Sequence, residues 1–111
     1  MKYRRLGRTG LAVSVVGVGT WQLSGEWGQT FTQREVDRLL GRAGELGVNL
    51  VDSAECYGDH LAEVLIGAAI GQRRDDWVVA TKFGHQFHPE AMGQDRWSPV
   101  SVAATTGPPR R

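Results

Sequence analysis

Apolar and polar residues alternate near the start of the chain. Positions 2–6 are of mixed polarity, positions 8–10 (RTG) have turn chemistry, and Leu11, Val13 and Val15 then alternate with smaller residues. Two short extended segments around a glycine-containing turn predict a β-hairpin.

The next stretch is rich in glycine and small residues. Positions 16–20 (VGVGT) predict a short strand whose glycines permit close approach of a ligand or of neighbouring strands. Positions 21–31 lack clear periodicity and predict an irregular loop that is longer than most connections. Trp21 and Trp27 in this loop either cover one end of the core or face a ligand, and both readings stay open here.

Positions 32–47 carry the pattern of an amphipathic helix with a signal at each end. Thr32 and Glu35 have the spacing of a capping box, in which each side chain accepts a hydrogen bond from the other residue's backbone N–H. Gly47 is placed to end the helix in a left-handed conformation. Helical spacing relates the apolar positions of the predicted inner face, which are Val36, Leu39, Leu40, Ala43 and Leu46.

A second strand and a second helix follow. Leu50 and Val51 form the apolar run of a buried strand, and Asp52 stands at its end. Tyr57 lies on the loop that leaves this strand. Asp59 is placed to cap the next helix. The predicted apolar stripe of that helix consists of Leu61, Val64, Leu65 and Ala68 or Ala69.

A polar loop at 71–76 precedes a third predicted strand at 77–82. Strands that alternate with helical crossovers predict a parallel sheet. Two architectures fit this order, an open doubly wound sheet and a (β/α)₈ barrel. A dinucleotide fingerprint would open directly into a helix, whereas positions 17–22 (GVGTWQ) lack its last glycine and no helix follows at once.

Ligands gather at the carboxyl ends of the strands in either architecture. Thr20, Asp52 and Lys82 all stand at such ends, and Tyr57 lies on a neighbouring loop. A lone Asp or Lys at a strand end is more often a surface ion pair, and a lone Tyr is more often a packing residue. The combination of an acid, an amine and a phenol instead indicates proton-transfer chemistry.

Composition narrows the class of protein. The 111 residues fit one small domain, and 41% hydrophobic with 23% charged residues is ordinary for a globular protein. A net charge of +1 argues against nucleic-acid or membrane-surface binding through bulk electrostatics, and no apolar run is long enough to span a bilayer. The single Cys56 excludes an intramolecular disulfide and predicts a reducing, cytoplasmic setting.

Histidine and cysteine give a poor metal-site signal. His60, His85, His88 and Cys56 lack a ligand spacing typical of zinc sites, so we expect loop histidines and no metal. Cys56 is expected to be a buried bystander, because no histidine partner that would activate it is evident.

Five segments together resemble the N-terminal part of the aldo-keto reductase family. They read YRRLGRTGLAVS, GVGTW, LGVNLVDSAECYG, Glu63 with Leu65-Ile66-Gly67, and VVATKFG, and they cover roughly residues 3–84. The resemblance implies a (β/α)₈ barrel with a preceding β-hairpin, of which about three of eight strands are present. It implies a partial barrel domain over 1–97. From about Ser98 small residues, three prolines and a basic end replace any helical stripe, so we expect a disordered or frameshifted tail over 98–111.

The resemblance also implies a role for each matching residue. Tyr57 matches the general acid that protonates a carbonyl oxygen, Lys82 matches the lysine beside it, and Asp52 matches the aspartate paired with that lysine. An ammonium beside a phenol favours the phenolate and so makes the phenol a better acid near neutral pH. NADPH, or sometimes NADH, is the implied cofactor, and a small carbonyl compound is the implied substrate. The positions implied to lie near the cofactor are Gly19, Thr20, Trp21 and Asp52.

Several departures from the family set limits on function. The family's catalytic histidine, at the end of the fourth strand, has no match, since His85 and His88 follow the third strand too soon and on a predicted loop. A barrel of this type needs roughly 250 residues, so we expect the isolated chain to be impaired or inactive. Two alternatives stay open, a non-catalytic NADPH-binding regulatory subunit similar to channel β subunits and an inert truncated gene product.

Overall fold

The computed structural model describes residues 1–87 and 97–99. Seven strands and two α-helices occur in this part of the chain. In order they are β1 (Tyr3–Arg5), β2 (Ala12–Ser14), β3 (Val18–Gly19), α1 (Gln33–Glu45), β4 (Leu50–Asp52), α2 (Leu61–Ile70), β5 (Val78–Ala80), β6 (His85–Phe87) and β7 (Trp97–Pro99). Two 3₁₀ helices, Trp21–Ser24 and Gly71–Asp76, replace parts of the predicted loops.

Three small sheets organise these strands. β1 and β2 pair antiparallel, which confirms the predicted hairpin. β3, β4 and β5 form a parallel sheet in that order, which confirms the predicted strand–helix alternation. β6 and β7 form an antiparallel pair, so His85 begins a strand and the prediction of a loop there was wrong. Of the predicted tail, residues 98 and 99 belong to β7, and 100–111 lie outside the described residues.

The hairpin is bonded to the start of β4. Asn49 accepts a hydrogen bond from the Ser14 N–H at 2.7 Å through Oδ1, and its Nδ2 donates to the Ala12 carbonyl at 2.9 Å. The Tyr3 hydroxyl donates to the Gly47 carbonyl at 2.7 Å. These bonds join the hairpin to the segment that leads into the parallel sheet.

Both ends of α1 follow the sequence signals. The capping box of Thr32 and Glu35 is present in both directions. Gly47 follows the helix with φ of +88°, the left-handed conformation that glycine adopts without strain. The inner face is narrower than predicted, because Val36 and Leu40 are buried while Leu39 and Leu46 are exposed.

α2 differs from its prediction in two respects. Asp59 does not cap it, because the N-cap residue is His60 in a left-handed conformation and makes no capping hydrogen bond. The predicted stripe was wrong in part, since Leu65 is buried as predicted while Leu61 and Val64 are exposed, the latter at 64%. The residues that α2 buries are Ala62, Leu65, Ile66 and Ile70. Apolar residues surround this helix on most sides, so periodicity alone could not select the buried face.

The core lies between the two helices and the parallel sheet. α1 and α2 pack against each other, and Val51 at the centre of β4 is fully buried. The core cluster consists of Leu23, Val36, Leu40, Val48, Val51, Ala62, Leu65, Ile66, Ile70 and Trp77. No helix in the described part of the chain is long and apolar enough to cross a membrane.

Candidate active site

The register of the parallel sheet brings three strand ends to one edge. Gly19 of β3 lies opposite Asp52 of β4, and Asp52 lies opposite Ala80 of β5. The segments that follow these strands therefore leave the sheet side by side. Among them are the Tyr57 loop and the loop that carries Lys82, as the strand-end hypothesis predicted.

Lys82 reaches back from its loop to the end of β4. Its Nζ lies 3.0 and 3.1 Å from the two carboxylate oxygens of Asp52, and it donates to the Ser53 carbonyl at 3.0 Å. An ammonium has three donor hydrogens, and these three acceptors can take them all. The pair is half exposed, at 50% for Lys82 and 52% for Asp52.

The ion pair strengthens the charged form of the amine. The hydrogen bond with Asp52 raises the pKa of Lys82 above its ordinary value of 10.5, and the charges of Asp52 and Tyr57 add to this against partial desolvation. Because the pKa is raised, the pair stabilises the fold fully below the ordinary value and loses that contribution as pH rises through the raised pKa. Lys82 is therefore a fixed cation at neutral pH.

Tyr57 lies beside this cation. The Lys82 Nζ is 5.5 Å from the centroid of the Tyr57 ring, within the range of a cation–π contact. The ring is half buried and packs against the core cluster. Backbone hydrogen bonds hold the residue at both sides, from Tyr57 N–H to the Ala54 carbonyl at 3.2 Å and from Ala62 N–H to the Tyr57 carbonyl at 3.1 Å.

The 3₁₀ helix Trp21–Ser24 packs against the tyrosine loop. Gly58 has φ of +68°, and a Cβ placed there would lie 2.9 Å from the Ser24 Cα. Leu23 and Ser24 are buried, so this turn belongs to the folded body of the domain. The sequence pattern did not reveal this contact, and the glycine after Tyr57 was its only signal.

The residues after β3 divide into a buried and an exposed group. Thr20 is buried and donates both its hydroxyl, at 2.9 Å, and its N–H, at 3.1 Å, to the Asp52 carbonyl. Gly19 faces open space, because a Cβ added to it would meet no atom within 4 Å. Trp21 and Trp27 are exposed and lie with ring centroids 6.4 Å apart, and neither belongs to the core cluster.

Glu55 is the site residue that sequence reasoning missed. Its Oε1 accepts from the N–H groups of Gly84 at 2.6 Å and His85 at 2.9 Å. Its own N–H donates to the Lys82 carbonyl at 3.1 Å. The N–H of His85, and then that of Gly84, lowers the pKa of Glu55 below its ordinary value against partial desolvation. The only sequence signal was an acidic residue between Asp52 and Tyr57.

The cysteine and histidines form no metal centre in the described residues. No group of three or more His, Cys, Asp or Glu side chains is placed there to hold an ion. Cys56 is half buried, and desolvation raises the pKa of its thiol, which disfavours the reactive thiolate. The imidazole of His60 lies 3.0 Å from the Asp59 carboxylate at the surface. His88 lies outside the described residues.

The chain is similar to known proteins in both sequence and structure. The model of the aldo/keto reductase family matches residues 15–104. A solved structure assigned as an aldo-keto reductase from Pseudomonas aeruginosa is 37% identical, with a TM-score of 0.70, over 80% of this chain and 33% of that one. The holo form of an aldo-keto reductase from Bacillus halodurans is 33% identical, with a TM-score of 0.72, over 89% of this chain and 30% of that one.

A third solved structure is of interest for its ligand. It is an aldo-keto reductase from Klebsiella pneumoniae in complex with NADPH, 35% identical with a TM-score of 0.53, over 67% of this chain and 25% of that one. The chain thus spans about a third of the length of these proteins or less. The comparisons decide between the two architectures, because the described fold fits part of a (β/α)₈ barrel rather than a doubly wound sheet.

Proposed function

The chain belongs to the aldo/keto reductase family, and from this membership we propose that Tyr57 is the general acid of an enzyme that reduces aldehydes or ketones to alcohols. The observation that carries the proposal is the contact of Lys82 with both the Asp52 carboxylate and the Tyr57 ring. The proposed activity is that of the complete barrel, and this chain would contribute its general acid, Tyr57.

The proton transfer follows from the charges at the site. As a hydride adds to the carbonyl carbon, negative charge develops on the oxygen, and the Tyr57 hydroxyl gives that oxygen its proton. A free phenol has a pKa near 10 and donates poorly at neutral pH. The fixed ammonium of Lys82 stabilises the phenolate that is left behind, and Asp52 keeps the ammonium in place.

NADPH is the proposed cofactor, with NADH as the alternative. When bound, it would supply the hydride, while the protein supplies position and a proton. The residues present fit the nicotinamide end, since the open space at Gly19 and the exposed Trp21 lie next to the Asp52 strand end. Thr20 would act indirectly, because its buried hydroxyl is bonded to the Asp52 carbonyl.

Two tyrosine variants test this proposal. The assay is NADPH oxidation with a panel of aldehydes and ketones, run on this chain and on a longer protein that carries it in frame. We expect activity in the longer protein, and Tyr57→Phe should lower kcat there by about 10²–10⁴-fold through loss of the general acid. Tyr3→Phe is the matched control, because the Tyr3 hydroxyl bonds to Gly47 in the hairpin contact.

Two results would contradict the proposal. If Tyr57→Phe keeps the activity of the Tyr3→Phe control, Tyr57 is not the acid. If the longer protein binds NADPH but oxidises it with no carbonyl compound in the panel, the regulatory-subunit alternative replaces the enzyme.

A further inference from the structure

We propose that Glu55 is a positioning residue, whose carboxylate holds the Lys82 loop against the Tyr57 loop. This inference rests on the proposed function for its catalytic meaning, but its structural content can be tested without any turnover. The contacts of Glu55 are with the backbone of the segment that carries Lys82, so it acts on the ammonium through that backbone.

One residue makes three hydrogen bonds across the two loops. The Glu55 N–H donates to the Lys82 carbonyl at 3.1 Å, and Oε1 accepts from Gly84 at 2.6 Å and from His85 at 2.9 Å. Bonds from neutral N–H groups to a carboxylate are charge-assisted and stronger than bonds between neutral groups. The loop is therefore held at Lys82 itself and immediately after it.

The Lys82 loop has little apolar packing to hold it. Phe83, the residue between Lys82 and Gly84, is 88% exposed, and Gly84 has φ of +102°, a conformation that suits glycine. On the other side of Lys82, the Thr81 hydroxyl donates to Glu63 of α2 at 2.6 Å. Polar contacts thus fix the loop on both sides of the lysine, and Glu55 provides those on the far side.

Two carboxylates, Asp52 at the end of β4 and Glu55 on the loop that follows, hold different parts of the Lys82 segment. Asp52 binds the ammonium of Lys82, whereas Glu55 binds the backbone N–H groups of Gly84 and His85, which follow Lys82. The lowered pKa of Glu55 agrees with this division, since an ionised carboxylate is the stronger acceptor. A lysine that must lie beside the Tyr57 ring needs both its side chain and its backbone held.

Chemical labelling of lysine measures the position of Lys82 directly. The sequence contains two lysines, so Lys2 in the hairpin region is an internal reference within the same molecule. In Glu55→Ala we expect Lys82 to be acylated about threefold faster or more, the order of change that loss of a hydrogen bond gives a local equilibrium. Lys2 should not change. Glu45→Ala, which removes an exposed carboxylate at the end of α1, should leave both rates unchanged.

The conservative variant separates position from charge. Glu55→Gln keeps an acceptor oxygen but removes the charge, so Lys82 should be labelled at a rate between those of the wild type and Glu55→Ala. If Glu55→Gln is labelled as fast as Glu55→Ala, an acceptor oxygen at this position does not hold the loop and the proposal is overturned. An unchanged Lys82 rate in a folded Glu55→Ala protein, with folding checked by far-UV circular dichroism, would overturn it as well.

Wild-type protein provides a test that needs no folded variant. The amide proton shifts of Gly84 and His85 should move together in acid, with a midpoint below the ordinary Glu value of 4.5. The imidazoles of His60 and His85 also lie near Glu55, and their charges contribute to the lowering of its pKa. Absence of the shared acid step would overturn the contact. These readouts do not depend on carbonyl reduction, so failure of the proposed function would leave them unaffected.

Discussion

The contact between Gly58 and Ser24 should make Gly58→Ala one of the most damaging small substitutions in this chain. Gly58 lies directly after Tyr57 and has φ of +68°. A Cβ placed on it would approach the Ser24 carbonyl oxygen and lie 2.9 Å from the Ser24 Cα and 3.0 Å from its carbonyl carbon. All three atoms belong to the backbone, so no side chain can rotate away to relieve the contact.

Two terms add to the expected cost. An alanine in the left-handed region costs about 1–2 kcal/mol relative to glycine. Forcing a methyl group into a packed backbone contact costs about 1–3 kcal/mol more. The free energy of unfolding should therefore fall by about 2–5 kcal/mol, a large share of the stability of a small domain. Relief of the contact would also require the tyrosine loop to move away from the 3₁₀ helix Trp21–Ser24.

Gly28→Ala is the matched control for this variant. Gly28 has φ of +79°, and a Cβ added there would meet nothing within 4 Å. The free energy of unfolding of Gly28→Ala should fall only by the cost of the left-handed backbone, about 1–2 kcal/mol. Urea denaturation of both variants, followed by far-UV circular dichroism at one protein concentration, measures the difference. Equal losses in the two variants would refute the contact with Ser24 as the cause.

Two further predictions concern single polar contacts. Asn49→Ala removes the side chain that bonds to Ser14 and joins the hairpin to β4, so the free energy of unfolding should fall by about 1–3 kcal/mol in urea; an unshifted midpoint would argue against this role. Asp52→Asn should lower the pKa of Lys82 toward its ordinary value, because the hydrogen-bonded carboxylate is its main cause of elevation. Carbon-13 NMR of the reductively methylated protein measures the pKa of Lys82, with Lys2 as an internal reference. An equal Lys82 pKa in the wild type and in Asp52→Asn would contradict the prediction.

The candidate site was largely predictable because its parts stand at strand ends. Apolar runs located β4 and β5. Parallel strands point in the same direction, so the residues that follow them meet at one edge of the sheet. Asp52, Tyr57 and Lys82 were singled out on that basis, and the structure places all three together. Their catalytic roles stay a proposal.

Local signals determined the elements whose causes are local. The capping box of Thr32 with Glu35 and the left-handed Gly47 are set by residues within one or two turns of each other, and both agree with the sequence. The prediction that Asp59 caps α2 was wrong, because the chain adopts left-handed conformations at Asp59 and His60. A cap needs a specific backbone approach to the helix, which residue type alone does not fix.

Only the tertiary structure decided what depends on distant segments. The face that α2 buries was set by its packing against α1 and the sheet, because an almost wholly apolar helix offers no preferred side. The contact of Gly58 with Ser24 joins segments far apart in the chain, as does the bond of Glu55 to His85. Sequence thus determined which chemical groups stand at the strand ends. The fold determined which backbone they bind, because hydrogen bonds between loops depend on a register that no local pattern encodes.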